Sequence, residues 1–124
     1  MQKGYRNQFE AQVAQHLTQQ GVTYDYEPKR ISWIDAQSGA PYGYEPDFVL
    51  GNGAIIEVKG FFSRGCRMKY LSFIQQHCTQ RLYLVLQRDD WIDPSTKRAR
   101  YNNWCKKYDV PWCVGVPLPD AWFA

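Results

Sequence analysis

The sequence predicts an α/β domain in which a mixed central β-sheet is flanked by helices. A tight turn at Gly51-Asn52-Gly53 lies between two apolar runs, which predicts an antiparallel hairpin. A helix-like segment then separates the hairpin from another apolar run, which predicts a parallel pair of strands joined by a right-handed crossover. The 124 residues are enough for one hydrophobic core, so we expect a single domain.

The first segment, residues 5–20, is predicted to be a helix. Its apolar side chains recur at every fourth position: Tyr5, Phe9, Val13 and Leu17. Gly21 suits the residue that ends this helix, and Glu10 is expected at the border of the buried stripe. Residues 22–34 then follow a strand pattern that is interrupted at Pro28.

Strands and helices are predicted to continue along the rest of the chain. The strands cover residues 44–50, 54–59, 81–86 and 110–116, and the helices cover residues 67–78 and 97–107. The expected core positions of the first of these helices are Met68, Leu71, Phe73, Ile74 and Cys78. Residues 35–41 are rich in turn-forming residues and predict a loop. Residues 82–86 are uniformly apolar, which suits a strand buried on both faces.

The composition is that of a packed globular protein, with 44% hydrophobic and 16% aromatic residues. No apolar run approaches the roughly 20 residues that a membrane-spanning helix needs. The first residues lack the apolar segment of a signal peptide, so we expect a cytoplasmic protein. The cysteines and histidines lack the spacing of a zinc site, so we expect reduced, half-buried thiols at Cys66, Cys78, Cys105 and Cys113.

The formal charge of +3 is unevenly distributed. Residues 1–60 contain five basic and seven acidic side chains, a balance of −2, whereas residues 61–124 contain ten and five, a balance of +5. This separation suits a carboxylate metal site beside a phosphate-binding face, and on charge alone it suits an ordinary mixed surface equally well.

Two acidic residues are expected to meet across the hairpin. Asp47 and Glu57 each lie five positions from Asn52, so their side chains can face each other across the ladder. Their oxygens, together with the Val58 carbonyl, suit Mg²⁺, with Mn²⁺ as a substitute. Either acid alone would more often be a solvated charge or a turn residue. Both lie in apolar strands, however, and a buried carboxylate needs a partner.

Lys59 follows Glu57 by two positions and therefore points to the same face of the strand. Its ammonium group would lie beside the cation, where it could position or deprotonate a water molecule or stabilise charge on a phosphate. A metal ion would lower the pKa of water and neutralise the phosphate. The three residues therefore predict metal-dependent hydrolysis of a phosphodiester bond.

The spacing of Pro46-Asp47 and Glu57-x-Lys59 resembles the signature of PD-(D/E)xK nucleases. A longer pattern is more specific: Gly21-x-x-Tyr24-x-Tyr26-Glu27-Pro28, then Tyr44-x-Pro46-Asp47-Phe48-x-Leu50, then Asn52-Gly53-x-x-x-Glu57-x-Lys59-Gly60. Together with Phe9-Glu10, Leu17 and the segment 101–122, it resembles the bacteriophage endonuclease I family of Holliday-junction resolvases. The resemblance covers most of the chain and is least clear over residues 61–67 and 87–100.

This resemblance implies a restriction-endonuclease-like core with catalytic positions at Glu10, Asp47, Glu57 and Lys59. Glu10 would join Asp47, Glu57 and Val58 at the metal, and Glu27 would lie nearby. The implied activity is an Mg²⁺-dependent, structure-selective endonuclease that resolves four-way and other branched DNA junctions in recombination, within a phage-infected bacterial host.

The resemblance also implies a domain-swapped homodimer. In such a dimer, residues 1–34 would be exchanged between subunits, residues 35–44 would form the crossover loop, and residues 45–124 would form the catalytic core. The sequence does not distinguish this arrangement from a closed monomer.

Basic residues supply candidates for phosphate contacts: Arg6, Arg64, Arg67, Lys69, Lys97, Arg98, Arg100, Lys106 and Lys107. Any one of them is more often a solvated surface charge. The sequence contains no recognition helix or zinc finger, so we expect recognition of DNA structure rather than base sequence. The tryptophans are expected to be packing residues more often than platforms for bases: Trp33, Trp91, Trp104, Trp112 and Trp122.

Three other functions compete with junction resolution. The chain could be a nuclease of the same fold with a degradative, nicking, restriction or transposition role. It could be a catalytically inert DNA-binding module, which the intact Asp47, Glu57 and Lys59 disfavour. A purely structural protein would leave the paired strand carboxylates unexplained.

Overall fold

A computed structural model describes residues 4–28, 31–34, 38–76 and 81–124. Its elements, in chain order, are α1 (Gln8–Gln19), β1 (Tyr24–Tyr26), β2 (Ile31–Ile34), β3 (Pro41–Tyr44), β4 (Phe48–Leu50), β5 (Ile55–Lys59), α2 (Arg64–Gln76), β6 (Leu82–Leu86), α3 (Tyr101–Lys107) and β7 (Trp112–Val114). A 3-10 helical turn, Asp120–Phe123, follows β7. Gly21 follows α1 with a positive φ of 70°, as expected of a residue that ends a helix.

The central sheet has the strand order β1-β4-β5-β6-β7. β4 pairs antiparallel with both β1 and β5, whereas β6 pairs parallel with both β5 and β7. The predicted mixed sheet, its hairpin and its parallel pair are therefore confirmed. All five residues of β6 are buried, as their apolar run predicts for an interior strand.

β2 and β3 form a separate two-stranded antiparallel sheet. The strand pattern predicted over residues 22–34, with its interruption at Pro28, is confirmed as two strands, because the chain turns after β1 at Glu27, whose φ is +48°, and extended structure resumes in β2. Within residues 35–44, the crossover segment that the family resemblance implied, Pro41–Tyr44 form a strand and pair with β2. Residues 35–37 lie outside the described part of the chain.

Hydrophobic cores cover both faces of the sheet. Val13 and Leu17 of α1 pack in one core with Ile56 and Val58 of β5. Ile55 faces the opposite core, which contains side chains from α2 and α3. Because strand residues alternate between faces, Glu57 and Lys59 share the face of Ile55.

The helices differ from their predicted bounds at the N-terminal ends. α2 begins three residues earlier than predicted, and Met68, expected in the core, is 54% exposed because Tyr70 and Phe73 occupy the buried face. α3 begins at Tyr101, since Arg100 has extended backbone geometry and the Asn103 side chain accepts its N–H at 2.7 Å. In the described part of the chain, no helix is both long and apolar enough to span a membrane.

The described cysteines are free thiols: Cys66, Cys105 and Cys113. Cys66 and Cys113 are half-buried as expected, but Cys105 is fully buried, and burial raises the pKa of its thiol to about 12. Cys78 lies outside the described residues. Trp104 and Trp122 are packing residues, one in each core.

Candidate active site

Asp47 and Glu57 are brought together by the β4–β5 hairpin. Phe48 pairs with Ile56 in this ladder, so continuing the register by one residue places Asp47 opposite Glu57. The Asp47 N–H donates to Glu57 Oε2 at 3.3 Å, and the Val58 N–H donates to Asp47 Oδ2 at 2.8 Å. The juxtaposition predicted from the spacing around Asn52 is therefore confirmed.

Both carboxylates are removed from solvent, each being 1% exposed. Burial raises the pKa of Glu57 well above its ordinary value, and the charge of Asp47 raises it further, while Lys59 opposes the shift. Glu57 therefore holds its proton more tightly than a free glutamate does, and an added cation at the pair would favour its ionised form.

Lys59 lies beside this pair and is supported by α2. Its Nζ is 5.4 Å from the centroid of the Tyr70 ring, a cation–π contact with a buried residue. The Lys59 carbonyl accepts the Gln87 N–H at 2.9 Å, so Lys59 directs its backbone groups toward β6. Val58, one residue earlier, directs its N–H and carbonyl toward the β4 side, where Asp47 lies.

Glu27 extends the acidic pair into a row across three strands. Tyr26 pairs with Phe48, and the Glu27 N–H donates to the Asp47 carbonyl at 2.9 Å, so Glu27 lies opposite Asp47 on the β1 side. Within the described residues, the buried Glu27 Oε1 accepts no hydrogen bond, although it lies 3.0 Å from Arg6 Nε in an ion pair. The nearby position that the family resemblance implied for Glu27 agrees with this geometry.

Glu10 is 2% exposed, so its expected place at the border of the buried stripe is wrong. Its Oε1 accepts the Tyr26 hydroxyl at 2.5 Å, and its own N–H donates to the side chain of Asn7, which caps α1, at 2.8 Å. The missed signal was helical periodicity: Glu10 precedes Val13, Ala14 and Leu17 by three, four and seven positions, which is one helix face.

Arg6 connects the acids of the site. Its Nη2 pairs with Asp47 Oδ1 and lies 3.4 Å from Glu10 Oε2, while its Nε pairs with Glu27. Burial alone would lower the pKa of Arg6, but the charge of Asp47 and the further contacts raise it above its ordinary value. The sequence indicated Arg6 only as a phosphate contact. Its pairs with Glu27 and Asp47 are not visible in the sequence because those acids are distant along the chain, whereas Glu10 lies only four positions away, a spacing that itself indicates a local ion pair.

The two hairpin carboxylates are the best candidates to hold a metal ion. They are buried, their oxygens are of the type that Mg²⁺ and Mn²⁺ prefer, and the Val58 carbonyl faces their side of β5. Across the described ranges, no three acidic, histidine or cysteine side chains converge closely enough to hold one ion. Glu10 therefore reaches Asp47 through Arg6 rather than directly.

The remaining basic candidates are distributed over the α2 and α3 sides of the molecule. Several are exposed: Arg64, Lys97, Arg98, Arg100, Lys106 and Lys107. Arg67 is half-buried and donates to the Phe62 carbonyl at 2.6 Å. Arg100 stacks on Trp91 with 4.0 Å between its guanidinium carbon and the ring centroid. Lys69 is half-buried beside the Tyr70 ring.

Comparisons with known proteins show the family of this chain. The family model described as Phage endonuclease I matches residues 1–124. The chain is 31% identical over 108 residues to Endodeoxyribonuclease 1 of Enterobacteria phage T3, covering 87% of this chain and 70% of the relative. It is 25% identical over 118 residues to Endonuclease I of Escherichia phage T7, covering 95% of this chain and 77% of the relative. A match along the whole chain shows that this protein belongs to the phage endonuclease I family.

Proposed function

We propose that this protein is an Mg²⁺-dependent, structure-selective DNA endonuclease that resolves four-way and other branched DNA junctions. The observation that carries the proposal is the pair of buried carboxylates, Asp47 and Glu57, with Lys59 beside them on the same face of β5. Membership of an endonuclease family supports the reaction class, and the name Endodeoxyribonuclease 1 of the T3 relative supports DNA as the substrate.

Asp47, Glu57 and the Val58 carbonyl would hold the metal ion, with Mn²⁺ able to replace Mg²⁺. Glu10, which does not converge with this pair on one ion in the described residues, would hold a second ion or orient water from the α1 side. When bound, the ion would neutralise charge on the scissile phosphate and lower the pKa of water. The raised pKa of Glu57 fits this assignment, because a carboxylate that ionises reluctantly in an apolar setting gains most from a cation.

The protein side chains would prepare the reaction by position and charge. The Val58 N–H fixes Asp47 Oδ2, and the Asp47 N–H fixes Glu57 Oε2, so both carboxylates are held before substrate arrives. Lys59, braced against Tyr70, would donate to a phosphate oxygen and stabilise the charge that develops on the phosphorus. Direct attack of water would require no covalent intermediate with the enzyme.

Recognition of the DNA would rest on backbone charge. The exposed basic side chains near the start of α2 and along α3 would contact phosphates, which position a duplex without reading its sequence. Junction selectivity would then depend on the spacing of two sites in a homodimer, since a symmetric pair can cut two strands of a four-way junction. The relatives are phage proteins, so we place this action in an infected bacterial cell.

The test compares cleavage of a synthetic four-way junction, a linear duplex and a single strand, each with Mg²⁺. We expect paired nicks in the junction and little cutting of the other two DNAs. Glu57→Gln and Lys59→Ala should lower the cleavage rate by at least about a hundredfold while sparing junction binding. Glu45→Gln, which changes an exposed acid just before Asp47, is the matched control and should cut normally.

Other outcomes would select a competing function. Equal cutting of all three DNAs would indicate a degradative nuclease, and junction binding without cutting in Mg²⁺ or Mn²⁺ would indicate an inert binding module. Near-normal turnover by either Glu57→Gln or Lys59→Ala would overturn the roles given to those residues.

A further inference from the structure

The ion pair between Arg6 and Asp47 affects how the site can bind a metal ion. The inference drawn from this ion pair rests on the proposed function. Both carboxylate oxygens of Asp47 are engaged in the structure. Oδ2 accepts the Val58 N–H, and Oδ1 pairs with Arg6 Nη2. A divalent cation at Asp47 would therefore approach an oxygen to which a guanidinium is already bound.

We propose that Arg6 is a built-in counter-ion of the metal-free site, which a divalent cation must displace from Asp47. The positive charge of Arg6 compensates acids from three elements: Glu10 on α1, Glu27 after β1 and Asp47 before β4. Acids on adjacent strands repel one another when no cation lies between them. A guanidinium and a divalent ion on one carboxylate would repel each other in turn, so each excludes the other.

The geometry allows the side chain to leave while the backbone remains in place. The Arg6 side chain is 60% exposed, whereas the side chains of Glu10 and Asp47, counted without their backbone atoms, are 3% and 2% exposed. The Arg6 backbone N–H donates to the Tyr26 hydroxyl at 3.1 Å and to Glu10 Oε1 at 3.2 Å. Rotation of the side chain toward solvent would therefore free Asp47 without moving α1.

This exchange gives Arg6 two successive partners. In the metal-free protein it stabilises the acidic row, and after metal binding its charge becomes free to approach a phosphate at the same edge of the sheet. Arg6 would lower the apparent affinity for the metal, because the ion must first displace the guanidinium.

The experiment measures Mn²⁺ and Mg²⁺ binding by calorimetry, without DNA, for wild type, Arg6→Gln and Arg6→Lys. Arg88→Gln removes an exposed arginine elsewhere and serves as the matched control. Arg6→Gln should bind Mn²⁺ about tenfold tighter than wild type, which corresponds to about 1.4 kcal/mol. Its metal-free melting temperature should be about 5 °C lower than that of wild type. Saturating Mn²⁺ should raise the melting temperature of Arg6→Gln by more than it raises that of wild type.

Arg6→Lys keeps a positive charge but loses the forked geometry that reaches several carboxylates, so it should bind Mn²⁺ more tightly than wild type by a smaller factor. If Arg6→Gln is too unstable to titrate, the Mn²⁺ affinity of Arg6→Lys tests the inference in its place. Unchanged or weaker Mn²⁺ binding in these variants, with wild-type binding intact, would overturn the inference and show that Arg6 organises the acids for the metal. Absence of binding in every variant, with no Mg²⁺-dependent cleavage, would instead overturn the proposed metal site and the inference with it.

Discussion

The hydroxyl of Tyr26 makes the burial of Glu10 tolerable. It donates to Glu10 Oε1 at 2.5 Å inside the α1 core, and burial raises the pKa of the tyrosine. Without the hydroxyl, Glu10 Oε1 would keep only the longer hydrogen bond from the Arg6 N–H, at 3.2 Å, and the loss of a buried hydrogen bond to a carboxylate costs about 1–3 kcal/mol. We therefore expect Tyr26→Phe to lower the free energy of unfolding by about this amount in urea titrations.

Tyr24→Phe is the matched control for this change. The Tyr24 hydroxyl bonds to the Tyr5 hydroxyl at 2.9 Å in a partly buried position, where water can replace a lost partner. Its loss should cost clearly less than the loss of the Tyr26 hydroxyl. Equal losses for the two variants would contradict a special role for the Tyr26–Glu10 pair.

The raised pKa of Glu57 predicts that the free energy of unfolding of the metal-free protein depends on pH. Burial raises its folded-state pKa well above the unfolded value of about 4.5, so the folded chain binds more protons than the unfolded chain between those two pKa values. The stability that this pKa difference contributes is therefore fully present below the unfolded pKa and is lost as pH rises through the folded pKa. Measured with a chelator present, the unfolding free energy of wild type should fall as pH rises above about 4.5.

Glu57→Gln removes the titrating group while keeping a similar shape, so its stability should depend less steeply on pH over the same range. The free energy of unfolding, measured at intervals from acid to neutral pH, checks this difference. Parallel curves for wild type and Glu57→Gln would show that other groups produce the pH dependence.

At the scale of single residues, the sequence allowed Asp47 and Glu57 to be placed correctly because turn geometry and strand alternation fix their register locally. The burial of Glu10 was missed although its helical spacing from Val13 and Leu17 contained the signal. The ion pair of Arg6 with Asp47 depends on the assembled fold, because Asp47 lies 41 positions further along the chain.

Among the elements, the β4–β5 hairpin has the most direct effect on the site. Gly53 adopts a φ of +87° in its turn, and a Cβ at this position would meet nothing within 4 Å. The cost of Gly53→Ala would therefore come from the backbone alone, and an L-residue in a left-handed conformation costs about 1–2 kcal/mol. We expect this loss in the free energy of unfolding.

Gly4→Ala provides the comparison for the hairpin variant. A Cβ at Gly4 also meets nothing within 4 Å, but its φ is not in the positive range. Denaturant titration should leave Gly4→Ala close to wild type and lower the midpoint for Gly53→Ala. Indistinguishable midpoints for the two variants would show that the turn does not require a glycine.

The elements that the sequence predicted best are those with strong local patterns. The apolar run of residues 82–86 predicted β6, and the Gly-rich turn predicted the hairpin of β4 and β5. β3 contains Pro41 and Gly43, which are poor strand formers, so its pairing with β2 was not predicted. The start of α2 was placed too late, although Ser63 Oγ accepts the Cys66 N–H at 3.2 Å in the manner of an N-terminal cap.

At the scale of the whole molecule, the candidate site is assembled from two portions of the chain. Arg6, Glu10 and Glu27 belong to residues 1–34, whereas Asp47 and Glu57 belong to residues 45–124. In the structure, β1 pairs with β4 of the same chain. An exchanged dimer would use the same contacts between two chains, so neither the core pattern nor the site pattern in the sequence can distinguish the two arrangements.

Mixed dimers distinguish them through activity. Glu10→Gln and Glu57→Gln subunits, each expected to be inactive alone, are co-expressed with different affinity tags, and the heterodimer is purified through both. In an exchanged dimer, one site combines both substitutions and the other combines two unaltered portions, so one site should nick a junction normally. In an unexchanged dimer, each site contains one substitution and both stay inactive. Nicking at about half the wild-type rate therefore supports exchange, and an inactive heterodimer that still binds the junction contradicts it.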